Sequence, residues 1–170
     1  MKNLKYIVLF ILVGCSSSKV VYDYDVKTDF SKYKTYDYFE DVGNGLSELD
    51  VKRFIRAVNY RLDSLGINQN EKPDFYINII SEKSEIPGDY IGLGLGTGGR
   101  NVGVGASTGI AIGGKKFNET ITVDFVDADN QLFWQGAITV KVREKIKPKD
   151  RVVLVERIIN QILSNYPPKK

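Results

Sequence analysis

The residues with the clearest capacity for chemistry lie near the N-terminus, in the run Leu12-Val13-Gly14-Cys15. Lys2 and Lys5 and an apolar stretch over residues 6–13 precede Gly14. A charged start, an apolar run of about 7–15 residues and a small residue at its end are typical of a secretory signal. The apolar run is too short for a transmembrane helix, which takes about 20 apolar residues. The pattern predicts that residues 1–14 are a signal peptide, cleaved after Gly14.

Cys15 is the only cysteine of the chain, so it has no partner for an intrachain disulfide. The run that ends at Cys15 resembles the signal of bacterial lipoproteins, in which the thiol takes a diacylglyceryl group and the freed amine a third acyl chain. Two or more acyl chains anchor a protein stably, whereas one binds only marginally. We therefore expect Cys15 to be lipidated. Residues 15–19 then consist of the lipidated cysteine and a short tether to the domain. The alternative is a free or buried thiol within an ordinary signal peptide.

The residues after Cys15 bear on location. In the bacteria where the sorting rule is best understood, Asp after the lipidated cysteine retains a lipoprotein in the inner membrane. Ser16 occupies that position here, and residues 16–19 contain no acidic run of the kind that some lineages use to reach the cell surface. We expect the protein to be held on the membrane through Cys15, in the outer membrane facing the periplasm.

The composition excludes several classes of active site. The chain has no histidine, which rules out Ser-His-Asp and Cys-His nucleophilic systems and removes the commonest metal ligand. With Cys15 lipidated, no thiolate remains for zinc. Asp127, Asp129 and Asn130 invite a calcium interpretation, but Gln131 breaks the required alternation of acidic residues, so a turn is favoured. We expect no metal and no cofactor.

A carboxylate pair is the remaining enzymatic possibility. Asp124 and Asp127, near Glu119, could in principle supply a general acid and base. They lie three residues apart, however, and side chains an odd number of positions apart point to opposite faces of a strand. We therefore expect a protein that is not an enzyme.

Charge gives no indication of a nucleic-acid partner. Loss of Lys2 and Lys5 with the signal lowers the basic residues from 24 to 22, against 21 acidic ones. The pI of about 8.8 belongs to the uncleaved chain. The one basic cluster, residues 141–151, also contains Glu144 and Asp150. Because nucleic-acid binding requires a concentrated basic face, we interpret this cluster as solvated and expect no nucleic-acid partner.

Periodicity divides the remainder into a single α+β domain over residues 20–170. Alternation predicts strands at 20–26, 34–39, 74–82, 117–126 and 132–142, with the last two forming a hairpin and Gly136 a candidate for a bulge. Helical spacing predicts one helix between an N-cap at Ser47 and a stop at Gly66, and a second introduced by Pro148 and Asp150. We expect a mostly antiparallel sheet of about five strands with both helices on one face, in the order β-β-α-β-(Gly-rich segment)-β-β-α. The other face should be more polar or should receive a partner.

The segment 90–114 holds most of the 16 glycines, alternating with aliphatic residues. It could form a mobile loop, or an ordered flap whose bare face lies against a partner or ligand. Gly94, Gly96 and Gly99 match the spacing G-x-G-x-x-G. A dinucleotide site also requires a helix to open at that point, and no helical pattern follows Gly99.

Several short motifs carry a family resemblance. These motifs are residues 23–25, 29–36, the run Lys72-Pro73-Asp74-Phe75, the glycine-rich stretch, 121–127, 132–137, 162–163 and the run Tyr166-Pro167-Pro168. In them the chain resembles, over nearly its whole mature length, the bacterial lipoproteins grouped as domain of unknown function 4136. These motifs are structural, so no catalytic residue can be carried over. The resemblance implies a lipid-anchored envelope domain of undefined activity.

Two functions from different classes fit these observations. The first is a non-enzymatic envelope protein that binds another envelope component, such as a protein partner. The second is a periplasmic module for a small ligand, lipid or glycan, with an apolar pocket between sheet and helices. Tyrosines along the first two predicted strands could stack on a sugar in that case, and the candidates for such a contact are Tyr22, Tyr24, Tyr36 and Tyr38. Aromatic residues are also ordinary in strands, which is the simpler explanation.

Overall fold

The computed structural model describes residues 19–86, 90–92, 109–111 and 115–169. The predicted signal, Gly14, Cys15 and most of the glycine-rich segment lie outside the described residues. The elements in chain order are β1 (Val20–Tyr24), β2 (Thr35–Tyr38), α1 (Glu48–Asp63), β3 (Asn68–Gln69), β4 (Phe75–Glu85), β5 (Tyr90–Gly92), β6 (Gly109–Ala111), β7 (Lys116–Asp127), β8 (Leu132–Arg143) and α2 (Pro148–Ile162). Short 3-10 turns lie at Phe30–Lys32 and Leu163–Asn165.

The main sheet has six strands in the order β1-β8-β7-β4-β2-β3. The prediction of a mixed α+β domain with two helices is confirmed, but the count of about five strands is wrong. The additional strand, β3, has only two residues, which is too short to produce an alternating pattern. A separate antiparallel pair, β5 and β6, lies within the glycine-rich segment.

The sheet is parallel at one edge, whereas the sequence pattern predicted only that it would be mostly antiparallel. β2 runs parallel to both β3 and β4, while β1, β8, β7 and β4 pair antiparallel. The parallel pairing follows from connectivity, because α1 carries the chain back between β2 and β4 as a crossover. Asp74 links the start of β4 to the start of β2, because its carboxylate accepts hydrogen bonds from the backbone N–H groups of Lys34 and Thr35 at 2.9 and 2.8 Å. These hydrogen bonds lower the pKa of Asp74, and the bond from Lys34 makes the largest contribution.

The first strand is shorter than the predicted run over residues 20–26. It ends at Tyr24 because Asp25 enters a turn, with its carbonyl accepting from Thr28 N–H at 2.9 Å. Val26, which lies in this turn, is therefore 83% exposed.

Local sequence features explain where α1 begins and ends and where α2 begins. Ser47 caps α1, with its hydroxyl accepting from Asp50 N–H at 3.3 Å. The chain leaves α1 through Gly66 at φ +75°, a conformation that glycine adopts without steric cost. Helix α2 begins at Pro148, whose missing N–H is not needed in the first helical turn.

The two helices pack on one side of the main sheet, which we call the covered face. Its core includes Trp134, Phe54, Phe75, Phe125 and Ile158, all essentially without solvent exposure. The opposite side, the open face, carries half-buried side chains of the central strands. Cross-strand register places them in rows, and the members are Tyr76, Asn78, Ile80, Thr122, Asp124, Val126, Gln135 and Ala137.

A bulge in the β7–β8 hairpin changes which side chains reach the core. Phe125 pairs with Trp134 but Val126 pairs with Leu132, so Phe133 is an additional residue in β8. Phe133 is consequently buried, its ring stacked at 4.0 Å on Tyr33. The neighbouring Leu132 is 52% exposed, because the bulge turns its side chain away from the core.

Gly136 is not the site of that irregularity. A Cβ there would lie 2.6 Å from the Trp134 ring and 2.7 Å from Ile162 of α2. The glycine therefore permits close packing of the helix on the sheet.

No helix in the part of the chain that the structure describes is long and apolar enough to cross a membrane.

Candidate functional site

A buried cluster of charges joins the two helices to the sheet. Arg151 of α2 donates from Nη1 and Nη2 to the carboxylate of Glu119 in β7, at 2.6 and 2.9 Å. It also contacts Asp50 of α1, through Nε at 3.2 Å and Nη2 at 3.1 Å. Arg151 is 5% exposed, and Glu119 is fully buried. The guanidinium thus bridges two carboxylates that come from different elements.

Outer groups complete the cluster. Arg53 donates to Asp50 at 2.7 Å, Lys83 lies 3.6 Å from Glu119, and the hydroxyl of Ser81 donates to Glu119 at 3.2 Å. Together with Arg151 these groups give both carboxylates at least two polar partners. Isolated buried charges are strongly unfavourable, so such a cluster persists only when it is paired and hydrogen-bonded.

The position of Asp50 in α1 and the bonds within the cluster favour the charged forms of Asp50 and Arg151. Asp50 lies in the first turn of α1, where the positive end of the helix dipole stabilises a carboxylate. Burial opposes ionisation of Asp50, but hydrogen bonds from Arg151 and Arg53 outweigh it and lower its pKa. Burial likewise opposes the charge of Arg151, and the bonds to Glu119 and Asp50 reverse that effect and raise its pKa. Both groups therefore remain charged in the folded protein at neutral pH.

A cavity of about 420 Å³ opens beside this cluster. Its charged wall includes Glu119, Arg151 and Lys83, and its apolar wall includes Phe117 and Val142. The cavity lies where β4 ends and β7 begins, at the end of the sheet from which the glycine-rich segment continues. Its size is within the range of small-molecule sites.

Sequence reasoning missed this cluster. The sequence does contain a sign of the cluster, because charged residues occupy positions that share a strand or helix face with apolar residues. Glu119 alternates with Ile121 and Val123 in β7, and Arg151 precedes Val155 by one helical turn in α2. Each residue could be identified as inward-facing, but 32 positions separate them, and only the fold shows that they meet.

The four tyrosines proposed as contact residues occupy different environments. Tyr22 is 44% exposed, and its ring stacks parallel to that of half-buried Tyr24 at 6.5 Å. Tyr36 is fully buried, so its proposed contact with an external ligand is wrong. Its hydroxyl donates to Asn59 of α1 at 3.0 Å, and that of Tyr38 donates to the same oxygen at 2.6 Å.

Burial affects the ionisation of these inward-facing tyrosines. Removal from water raises the pKa of Tyr36 to about 12, with smaller contributions from Asp63 and Asp37. The pKa of Tyr38 is raised still further by the same primary cause. Both side chains belong to the joint between β2 and α1. The contact role predicted for exposed Tyr22 and for half-buried Tyr24 and Tyr38 stays a prediction.

The three acidic residues considered for acid–base chemistry do not converge. Asp124 lies on the open face and accepts from the amide of Gln135 at 2.8 Å, whereas Glu119 lies on the covered face. Asp127 closes the hairpin turn by accepting from Asp129 and Gln131 N–H. Asn130 completes this turn at φ 62°. Within the described residues, no group of three or more Asp, Glu, His or Cys side chains is placed to hold a metal.

The open face has a polar row at its centre. Cross-strand register aligns Asn78, Asp124, Gln135 and Asp23 on four adjacent strands. Burial raises the pKa of Asp124, and the hydrogen bond from Gln135 only partly opposes that rise. A half-buried carboxylate flanked by an amide and by apolar neighbours is available for contacts from outside the chain.

Solved structures show the same fold in distant proteins. A PDZ domain protein from Parabacteroides distasonis is similar with a TM-score of 0.59 at 13% identity, over 90% of this chain. The chain spans only 36% of that protein's length. PelC from Paraburkholderia phytofirmans, solved as a dodecamer, is similar with a TM-score of 0.53 at 11% identity, over 91% of this chain and 100% of PelC. A second PelC dodecamer structure, of a variant, gives 0.52 at 11% identity over 87% and 95% of the two chains.

No curated protein matches the sequence. A family profile does, over residues 20–168, which is nearly the whole of the predicted domain. Residues of the motifs that carry the family resemblance have structural roles: Asp29 caps a 3-10 turn, Asp74 links β4 to β2, and Gly136 lets α2 approach the sheet. The chain belongs to the family described as Domain of unknown function (DUF4136).

Proposed function

We propose that this chain is a lipid-anchored, non-enzymatic cell-envelope protein that binds another envelope component through its open face. The open face is the observation that carries the proposal, because no helix of the described residues covers this face of the sheet, and it carries a mixed polar and apolar surface. The buried charges are paired among themselves and stabilise the fold. The sequence around Cys15 supports the anchor and the outer-membrane location facing the periplasm.

Assembly is one form that such binding can take. PelC, which has this fold, is solved as a dodecamer. That likeness supports a surface of the fold as a site of contacts between chains, either with a different envelope protein or with further copies.

Site-specific photo-crosslinking in living cells tests the binding surface. A photo-crosslinking amino acid at Thr122 or Ala137, on the open face, should capture a discrete partner reproducibly. The same group at Tyr60, exposed on α1, is the matched control and should capture little. Equal capture at both places, or none on the open face, would contradict the proposed surface. Release of a Cys15→Ser variant from membranes tests the anchor separately.

The cavity beside Arg151 favours a second candidate, a site for a small ligand. Its apolar wall and charged rim suit a molecule with an acidic group and an apolar part, bound between the sheet and the α2 N-terminus. Native mass spectrometry of the purified chain would detect such a ligand. A Val142→Trp variant, which fills the apolar wall, should lose it. A chain that carries no adduct before or after this change would exclude the candidate.

A further inference from the structure

A second concave surface lies where β8 turns into α2. Five basic residues line this groove of about 460 Å³: Lys141, Arg143, Lys145, Lys147 and Arg157. All five are exposed, and Asp150 is the only acidic residue that lines the groove with them. Among the described residues none of the five forms an ion pair, unlike Arg151 a short distance away. We call this surface the basic groove.

The basic groove also has apolar side chains. Val153, on the outer side of α2, is 65% exposed, and half-buried Ile146 lies beside it. Basic side chains around exposed aliphatic ones match the boundary of an anionic bilayer, where phosphates meet acyl chains.

The path of the chain places this groove near the predicted anchor. β1 is antiparallel to β8 with Val20 opposite Ile138, so the chain enters the sheet from the end at which β8 finishes. Val20 lines one depression with Val153 and Arg157, and these last two residues also line the basic groove. Val20 follows Cys15 by five positions, a reach of at most about 18 Å. A lipid on Cys15 would therefore hold this side of the domain at the membrane.

We propose that the basic groove docks on the anionic headgroups of the membrane that carries the lipid anchor. This proposal rests on the proposed lipidation of Cys15. The hairpin turn at Asp129 lies at the other end of the 12-residue strands β7 and β8, about 40 Å away. Docking by the groove thus points this turn away from the bilayer. It gives the domain a fixed orientation instead of free rotation about its tether.

Fluorescence quenching in vesicles tests the orientation. The full lipidated chain, carrying Val153→Cys or Asp129→Cys with an attached dye, is reconstituted into phosphatidylglycerol–phosphatidylcholine vesicles that contain a lipid-linked quencher. The dye at position 153 should be quenched several-fold more strongly than the dye at 129. Equal quenching at the two positions would overturn the proposal.

Charge variants test the chemistry of the contact. A triple variant, Arg143→Gln with Lys145→Gln and Lys147→Gln, should lose more than about half of the quenching contrast, because each basic residue near an anionic surface strengthens its binding by about fivefold. A matched triple variant at the hairpin end, Lys27→Gln with Lys32→Gln and Lys72→Gln, should retain the contrast. Equal loss in both variants would assign the effect to net charge and contradict docking by the groove.

Two further outcomes separate the proposals from each other. A native chain whose Cys15 itself reacts with the dye would overturn the lipid anchor. In that case, co-sedimentation of the full chain with anionic vesicles, and its loss in the groove variant alone, still tests the groove. A quenching contrast that survives in purely neutral vesicles would overturn the anionic lipid as the partner. A contrast seen in native envelopes but absent from vesicles would assign the groove to an acidic protein instead.

Discussion

Helix α2 carries two arginines whose surroundings are opposite. Arg151 is buried and contacts both Glu119 and Asp50, whereas Arg157, less than two turns further on, is exposed and forms no ion pair within the described chain. Burial makes pairing obligatory, because an uncompensated charge in the interior is costly. On the surface, water solvates an unpaired charge without such a cost. The buried arginine thus stabilises the fold, and the exposed one is available to a partner.

The largest expected effect comes from removing the buried arginine. Arg151→Met should lower the free energy of unfolding by about 3–5 kcal/mol, because Glu119 and Asp50 are left buried without their cation. Arg157→Met on the same helix is the control and should stay within about 0.5 kcal/mol. Urea denaturation followed by circular dichroism measures both. Similar losses in the two variants would mean that the buried cluster does not hold the fold.

The pH dependence of stability sharpens the role of Asp50. Its pKa is lowered in the folded state, so its contribution is fully present above the unfolded pKa of about 3.9 and is lost as pH falls through the folded value. Asp50→Asn should cost about 1–3 kcal/mol at pH 7 and progressively less below about pH 4. Asp41→Asn, at an exposed position, is the control with little change at any pH. A deficit of Asp50→Asn that stays constant from pH 7 to pH 2 would contradict the ion pair.

The tyrosines extend the comparison from charges to neutral polar groups. Tyr36→Phe removes a buried hydrogen bond to Asn59 and should cost about 1 kcal/mol, whereas Tyr22→Phe at the exposed ring should be near neutral. Thermal or urea unfolding of the two variants measures the difference. A larger cost for Tyr22 would place that residue in an unrecognised structural contact.

Salt should have the smallest effect on the fold. Raising the ionic strength from about 0.05 to 0.5 M screens exposed charges but affects buried pairs much less. The unfolding free energy should therefore change by less than about 0.5 kcal/mol, in the native chain and in the triple variant of the basic groove alike. The quenching contrast in anionic vesicles should fall over the same range. A steep loss of folding stability in the native chain that is absent from the triple variant would show that the groove charges hold the fold.

Local signals in the sequence predicted much of the architecture. The serine cap and glycine stop of α1, the alternation of β7 and β8, and the exclusion of histidine-based chemistry all follow from single residues or short patterns. The membership of the family, expected from its motifs, is confirmed by the match over residues 20–168. Such features are determined by residues close together in the chain.

The rest depends on contacts between distant residues. The parallel pairing of β2 with β4 is set by the path of α1, and the bulge that buries Phe133 depends on how β7 and β8 align. The sequence alone does not distinguish Tyr36 from an exposed strand tyrosine, because its burial depends on packing against α1. The meeting of Glu119 with Arg151 combines an inward position on a strand with one on a helix, and no local pattern shows which of the inward positions touch.

Both proposals depend on the chemical state of Cys15. The intact mass of the native protein, extracted from membranes in detergent, tests that state directly. We expect a chain that begins at Cys15, without residues 1–14, with its mass raised by one diacylglyceryl group and one further acyl chain. A chain that retains residues 1–14, or one with an unmodified thiol at Cys15, would contradict the membrane anchor.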